Sequence, residues 1–501
     1  MADISAPSGA YVRPTFTPGY KRLVLILLVT AYTLNFIDRT IISTIGQAIK
    51  VDLKISDTQL GLLGGLYFAL LYTFLGIPLA RLAERYSRVN IIALAILVWS
   101  GFTALCGSAS SFAMLAAYRF GVGVGEAGLS PPSHSLISDY FEPQKRATAL
   151  SVYAFGIPLG SMLGAVLGGW LAQTFSWRVA FVVVGIPGIL VALAIKFLVK
   201  EPPRGFSEPV ADGALPLEPV KPPPISLASE VKELGGVFAT LFGNWPVLNV
   251  VLGITFFSFA GYGAGQFAPP YFSRAFGLNY AQVGLLTGLV AGASAGIGTL
   301  LGGVITDRLA KRGAHWYALT PAIGITLALP FFVGTYLAPS WQTAAMFMAL
   351  PGIFSYVYLG PSFGVIQNMA PTKRRATAAA VMLFFVNLIA LGGGPPFTGW
   401  VIDHYAAFHF AHPDQAGVWA AVSNFWNASP KAFQAACPGG MGPAGASAAA
   451  EAACHGALVL GTRHGILVTY AFALLAAFHY LLASFGLGSA MAKARADRGE
   501  A

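Results

Sequence analysis

The chain has 501 residues, of which 56% are hydrophobic and only 10% charged, with a formal net charge of +10. So little charge cannot coat a water-soluble protein of this size, which excludes a soluble globular fold. The basic excess does not indicate nucleic-acid binding, because it is scattered over short loops between apolar runs and not gathered on one face.

In chain order, residues 1–20 form a polar tail rich in Pro and Gly. The apolar run that follows is too long for the core of a cleavable signal peptide and is expected to remain as the first helix. Twelve runs follow, each long enough to cross a hydrocarbon core of about 30 Å: 22–47, 58–80, 89–109, 112–137, 147–173 and 178–199, then 246–272, 282–304, 315–336, 342–366, 377–402 and 464–490. The expected fold is an all-α membrane protein, with twelve transmembrane helices in two pseudo-symmetric six-helix halves, 21–200 and 246–491. Between the halves, 201–224 is Pro-rich and reads as a cytosolic linker, and 225–243 as an amphipathic interfacial helix, so that the connection spans 201–245. An insert at 403–463 separates the last two helices, and 492–501 is a short tail. When the sides are numbered alternately, most of the 30 Lys and Arg fall on the side of the termini. Arg81/Arg85/Arg88, Lys145/Arg146, Arg308/Lys311/Arg312 and Lys373/Arg374/Arg375 carry this bias. It predicts cytosolic termini in a bacterial inner (plasma) membrane, where the same loops attract anionic lipids.

The two halves echo one another. LAERYSR at 82–88 matches ITDRLAKR at 305–312, PQKRATA at 143–149 matches PTKRRATA at 371–378, and Gly169-Trp170 matches Gly399-Trp400. Repeats of this kind mark a carrier that holds its substrate between like halves near the midplane.

Four charges lie within apolar runs: Asp38 and Arg39 in the first, Arg119 and Glu126 in the fourth. A charge at such depth costs roughly 2.5–3.5 kcal/mol on insertion scales and is retained for function. Arg119 and Glu126 are two helical turns apart and share a face, with Glu126 near the midplane. Asp38 reaches a depth like that of Arg119, so the two are expected to pair. Arg39, rotated by about 100°, is expected to lie off that face unless the helix bends. Asp38 and Glu126 are therefore candidate proton carriers, and Arg119 and Arg39 candidate charge switches that a substrate anion competes for. Asn35, Ser130, His134 and Asn387 are candidate cavity-lining polar groups, with His134 on the Glu126/Ser130 stripe. Tyr67, Phe68, Tyr72, Phe256, Phe257, Tyr262, Phe384 and Phe385 are candidates for an amphiphile path. Glu84, Arg85, Arg88 and Asp139, facing Asp307, Arg308 and Lys311, are candidate gating groups that clamp the outward-open state.

The loops at 82–88 and 305–312 resemble the motif of the major facilitator superfamily, although Glu84 replaces its usual Asp and Ala80 its usual Gly. GSMLGAVLGGW at 160–170 is similar to the helix-five motif of its exporters and antiporters, with Ala165 in place of the usual Pro. NFIDR (35–39), SDTQLGLLGGLYFALLY (56–72), RFGVGVGEA (119–127) and SDYFEPQKRATALSVYAFGIPLG (138–160) resemble the Spinster branch. That resemblance implies a proton-driven transporter of sphingolipids or lysolipids working by alternating access, with Asp38, Arg119 and Glu126 at functional positions. Lipid export is the leading expectation. A proton-coupled transporter of small organic anions or drugs is the alternative, and a non-transporting lipid sensor is the alternative from another class.

No enzyme is expected. GVGVGEAG (121–128) lacks the preceding strand of a dinucleotide site, and GASAG (292–296) lies in an apolar helix without a sheet. Gly121 and Gly125 read instead as helix-packing positions. No cofactor beyond the coupling proton and no metal site is expected. The expected partners are membrane lipids and a lipid or amphiphilic substrate, with the chain acting as a monomer. Cys437 and Cys454 both fall in the insert, on the side away from the cytosol, and are candidates for a disulfide.

Overall fold

The computed structural model describes residues 16–204, 206–207, 235–236, 238–239, 242–370, 375–415, 423 and 425–496. Most of the linker, most of the expected amphipathic helix, and the basic residues Lys373 and Arg374 lie outside them. Eleven helices are long and apolar enough to cross a membrane. We label them α1 (Pro18–Thr44), α2 (Asp57–Arg85), α3 (Arg88–Cys106), α5 (Gln144–Thr174), α6 (Trp177–Leu198), α7 (Trp245–Phe276), α8 (Tyr280–Ala310), α9 (Trp316–Leu337), α10 (Trp341–Met369), α11 (Thr377–Ala411) and α12 (Ala448–Ser484). The twelfth crossing, α4, is made in two pieces, Phe112–Glu126 and Ser130–Tyr140.

Local sequence explains the break in α4. Pro131 and Pro132 have no N–H to give to the carbonyls one turn earlier, so the ladder stops just after Glu126 and restarts with the prolines in the first turn. Before the break, α4 sits tightly on its neighbours. A Cβ on Gly121 would lie 2.5 Å from the Phe102 ring, one on Gly125 2.5 Å from the Trp99 nitrogen, and one on Gly123 2.5 Å from the Phe68 carbonyl. These glycines seat α4 against α3 and α2 and fix the depth of Glu126.

Two expected boundaries shift. α11 continues past residue 402 to Ala411, and α12 begins at Ala448, where Ser447 accepts a hydrogen bond from the Ala450 N–H. Much of the segment expected as an insert, 403–463, is therefore helical, and α11 and α12 are separated by residues 412–447, which include the short helix Pro430–Ala436. Alanine-rich residues 448–453 read as loop by composition, yet alanine is the best helix former once a cap starts the helix.

Alternating helix directions place both ends of the described chain on one face of the bundle, here the terminal face; the opposite face is the distal face. The halves meet at the distal face along α1–α7, α2–α11 and α5–α8. Toward the terminal face, α4 packs against α1, α2, α3 and α5, and α10 against α7, α8, α9 and α11, each within its own half. The bundle is closed distally and splayed toward the termini.

The Gly-Trp echo marks the distal contact. A Cβ on Gly399 of α11 would lie 2.1 Å from the carbonyl of Asp57, the first residue of α2. One on Gly169 of α5 would lie 2.2 Å from the carbonyl of Tyr280, the first residue of α8. Each half thus offers a glycine to the helix start of the other. Gly399→Val is expected to prevent distal closure, read as raised hydrogen exchange at residues 57–66 with α3 and α6 unchanged; unaltered exchange there would refute the close-approach argument.

Candidate functional site

Two ion pairs link α1 to α4. Asp38 and Arg119, each 1% exposed, meet with Arg119 Nη1 donating to Asp38 Oδ2 at 3.0 Å. Thr103 of α3 donates to the other Asp38 oxygen at 2.8 Å, and Arg119 Nε reaches the Leu63 carbonyl at 3.4 Å. Arg39 Nε donates to Glu126 Oε2 at 2.7 Å.

The Asp38–Arg119 pair is the one expected, and the position of Arg39 is not. Side chains on a helix lean toward its N-terminus, so Arg39 leans along α1 toward the terminal face. α4 runs the opposite way and carries Glu126 on that side of Arg119. The long Arg39 side chain closes the gap without any bend in α1. Consecutive residues of α1 therefore serve two partners spaced two turns apart on α4.

The pairs differ in setting. Asp38–Arg119 is sealed inside the N-terminal half. Arg39 keeps 19% of its side chain exposed, with its guanidinium over three rings: Tyr72 at 4.5 Å, Phe68 at 4.8 Å and Phe36 at 5.1 Å. Such stacking holds the cation with or without its carboxylate. Glu126 Oε1, although buried, has no hydrogen-bond partner. Tyr262 of α7 in the opposite half is 42% exposed.

The remaining candidates distribute along the cleft between the halves. Ser130 begins the second piece of α4. His134 is exposed, with its ring edge-on to Tyr153, which stacks on Tyr32 at 4.3 Å. Asn35 is 1% exposed and both its amide atoms lack partners. Asn387 is half-buried in a π-helical turn of α11, Val386–Leu391, of the kind that often marks a functional position. Of the aromatic candidates, Tyr72 and Tyr262 reach the cleft. Phe68 lies beneath Arg39, Phe257 packs on Tyr358, Phe256 on Phe472, and Phe385 on Phe242.

The expected gating groups lie at the splayed end. Arg88, fully buried, pairs with Asp139 of its own half and, at 2.6 Å, with Glu201 at the start of the linker, and Arg81 pairs with Glu84 at 3.1 Å. Glu84, Arg85, Asp307 and Arg308 are exposed, the last two on the terminal end of α8.

The distal face carries a charged cluster that the sequence reading missed. Arg274 of α7 donates to both Asp57 oxygens, at 2.6 and 3.1 Å, and to Gln47 and Thr462 at 2.7 Å each. Lys50 reaches Asp57 at 3.1 Å. Asp403 of α11 accepts the backbone N–H of Asp57 at 2.9 Å and of Thr58 at 2.8 Å, together with the Thr58 hydroxyl at 2.6 Å. Asp403 thereby caps α2 from the opposite half, and its charge faces the positive end of that helix. The α5–α8 contact repeats the device without charge: Gln173 Oε1 accepts the Tyr280 N–H at 3.1 Å. In sequence, Lys50, Asp57, Arg274 and Asp403 sit at span ends and read as interfacial charges. The signal was their place on the face that otherwise carries few basic residues.

Cys437 and Cys454 form a disulfide, with Cα atoms 5.7 Å apart. Cys106 is buried and free. Among the described residues no group of three or more His, Cys, Asp or Glu is placed to hold a metal.

The model of the Major Facilitator Superfamily matches residues 28–407. A bacterial homologue of the human lysosomal transporter Spinster, solved in an inward-facing, unoccupied conformation, superposes with a TM-score of 0.77 and 32% identity, covering 96% of this chain and 99% of that one. An MFS-type efflux pump of Mycolicibacterium smegmatis is 34% identical over 372 residues, 74% of this chain and 82% of its own. Spinster homolog 1 of Xenopus tropicalis is 27% identical over 409 residues, covering 77% and 74%. A hexuronate transporter of Bacillus subtilis is 26% identical over 398 residues, covering 77% and 89%. Repeat, fold and splayed halves agree with these likenesses, and the chain belongs to the major facilitator superfamily, in its Spinster-like branch.

Proposed function

We propose that this multispanning transporter is a proton-coupled carrier of a lipid or other anionic amphiphile, with Glu126 as the exchangeable carboxylate. The observation that carries the reading is the Arg39–Glu126 pair at the cleft wall, partly exposed and roofed by Phe36, Phe68 and Tyr72. An anionic headgroup entering the cleft competes with Glu126 for Arg39. A carboxylate that loses its cation in a dry site takes up a proton, so binding of the anion and protonation of Glu126 are linked. The rings offer apolar surface beside the cation, which suits an amphiphile. The Asp38–Arg119 pair, screened from the cleft, acts as the second charge store, reached when α1 and α4 shift.

The distal face is the non-cytosolic side in this reading. The sparse basic residues there and a disulfide in the insert both support it, since disulfides persist in oxidising compartments. The membrane is then a bacterial inner membrane, the termini are cytosolic, and the structure is inward-facing. The chain works as a monomer, needs no cofactor beyond the proton, and carries no enzymatic chemistry.

The likeness to a hexuronate transporter favours a second reading, in which Arg39 holds the carboxylate of a small organic anion. Proteoliposomes containing a pH-sensitive dye separate the two. A lysophospholipid is expected to evoke proton movement; a response to hexuronate alone would establish the second reading, and a response to neither would refute coupled transport of both classes.

A further inference from the structure

We propose that the disulfide-closed insert between α11 and α12 is a clasp that holds the distal face shut, setting how readily the transporter opens on that side. The insert belongs to the C-terminal half by sequence, and Phe433 anchors it there against Phe410 at 5.6 Å. Beyond that anchor it crosses to the N-terminal half. Gln434 Nε2 donates to the Lys54 carbonyl at 2.7 Å. The Pro438–Gly440 turn, which directly follows Cys437, lies on the short distal helix Gly46–Leu53. A Cβ on Gly439 would stand 2.9 Å from the Lys50 carbonyl, and one on Gly440 3.3 Å from Lys50 Cε.

Three features make this a clasp and not a loose loop. Gly439 and Gly440 have φ of 68° and 85°, backbone that only glycine adopts readily, so the close approach is built into the turn. The disulfide ties the residue before the turn to α12, with both sulfur-bearing residues buried. The turn also covers Lys50, which is 0% exposed and part of the Asp57–Arg274 cluster. Excluding water from those charges strengthens their attraction, so the clasp and the ion cluster reinforce each other. Distal opening moves Gly46–Leu53 away from α11 and α12, and the turn must be released for that to happen.

The test is hydrogen exchange of the full-length protein in lipid nanodiscs, with the disulfide intact and after treatment with tris(2-carboxyethyl)phosphine. Reduction delivers two electrons and two protons to the disulfide, giving two thiols, while the phosphine becomes its oxide with oxygen from water. We expect exchange at the distal segments 57–66 and 266–276 to rise about tenfold, with α3 and α6 unchanged. Gly439→Val, which keeps both cysteines but disrupts the turn, is expected to act in the same direction. A rise confined to 430–454 would make the disulfide a local staple, and a rise throughout would make it a support of global stability. Either result would overturn the clasp.

Discussion

Arg274→Ala is expected to shift the transporter from the distal-closed to the distal-open arrangement. In the closed form two carboxylates, Asp57 and Asp403, are balanced by two cations, Lys50 and Arg274, all nearly or fully buried. Removing the guanidinium leaves a buried negative excess and strands the side chains of Gln47 and Thr462. Breaking such a pair costs about 3–5 kcal/mol when the partner stays buried. Here the partner has an escape, because opening the distal face returns Asp57 and Asp403 to water. The loss therefore falls on the closed state rather than on folding, and the closed-to-open ratio drops by roughly two to four powers of ten. Hydrogen exchange at 57–66 and 266–276 would record it, with transport slowed because inward-facing states become rare. Asp57→Asn should act in the same direction. Thermal unfolding lowered by several degrees with unchanged distal exchange would mean that the cluster supports the fold and not the conformational balance.

The two ion pairs of α1 and α4 should respond differently to neutralisation. Glu126→Gln leaves Arg39 partly exposed and stacked on three rings, so the variant is expected to fold, to bind the anionic substrate at least as well as wild type, and to lose substrate-evoked proton movement. Asp38→Asn leaves Arg119, 1% exposed, charged and without a carboxylate. That variant is expected to lose about 3–5 kcal/mol of stability, seen as a lowered melting temperature in detergent before any transport is measured. The double change Asp38→Asn with Arg119→Met removes both charges and should regain most of that stability, since an apolar side chain can replace a buried pair. Equal stability of Asp38→Asn and Glu126→Gln would show that burial does not separate the pairs.

From sequence, both carboxylate variants are expected to fold, because charge in an apolar run signals function without saying how much water reaches it. Depth along a helix follows from counting residues, which is why the Asp38–Arg119 pair was legible. Exposure depends on which helices stand opposite. Arg39 shows the other limit: helical rotation places its Cα correctly, but the reach of a long side chain leaning toward the N-terminus decides its partner. Lys50, Asp57, Arg274 and Asp403 are legible as charges at span ends, and only their convergence from Gly46–Leu53, α2, α7 and α11 makes them a lock.

The sequence by itself determined the membrane class, the twelve crossings, the pairing of halves and the depth of the central charges. Each of these is set by local quantities: the length of apolar runs, the period of a helix and the repetition of short motifs. It also marked Gly169-Trp170 and Gly399-Trp400 as equivalent, though not that each glycine admits the first carbonyl of the opposite half. The extent of α12, the route of the insert across Gly46–Leu53, the distal closure and the separation of a sealed pair from an accessible one were decided by the tertiary structure. These depend on contacts between residues hundreds of positions apart, such as Asp57 with Asp403, whose energies come from burial and close approach and leave no periodic trace along the chain.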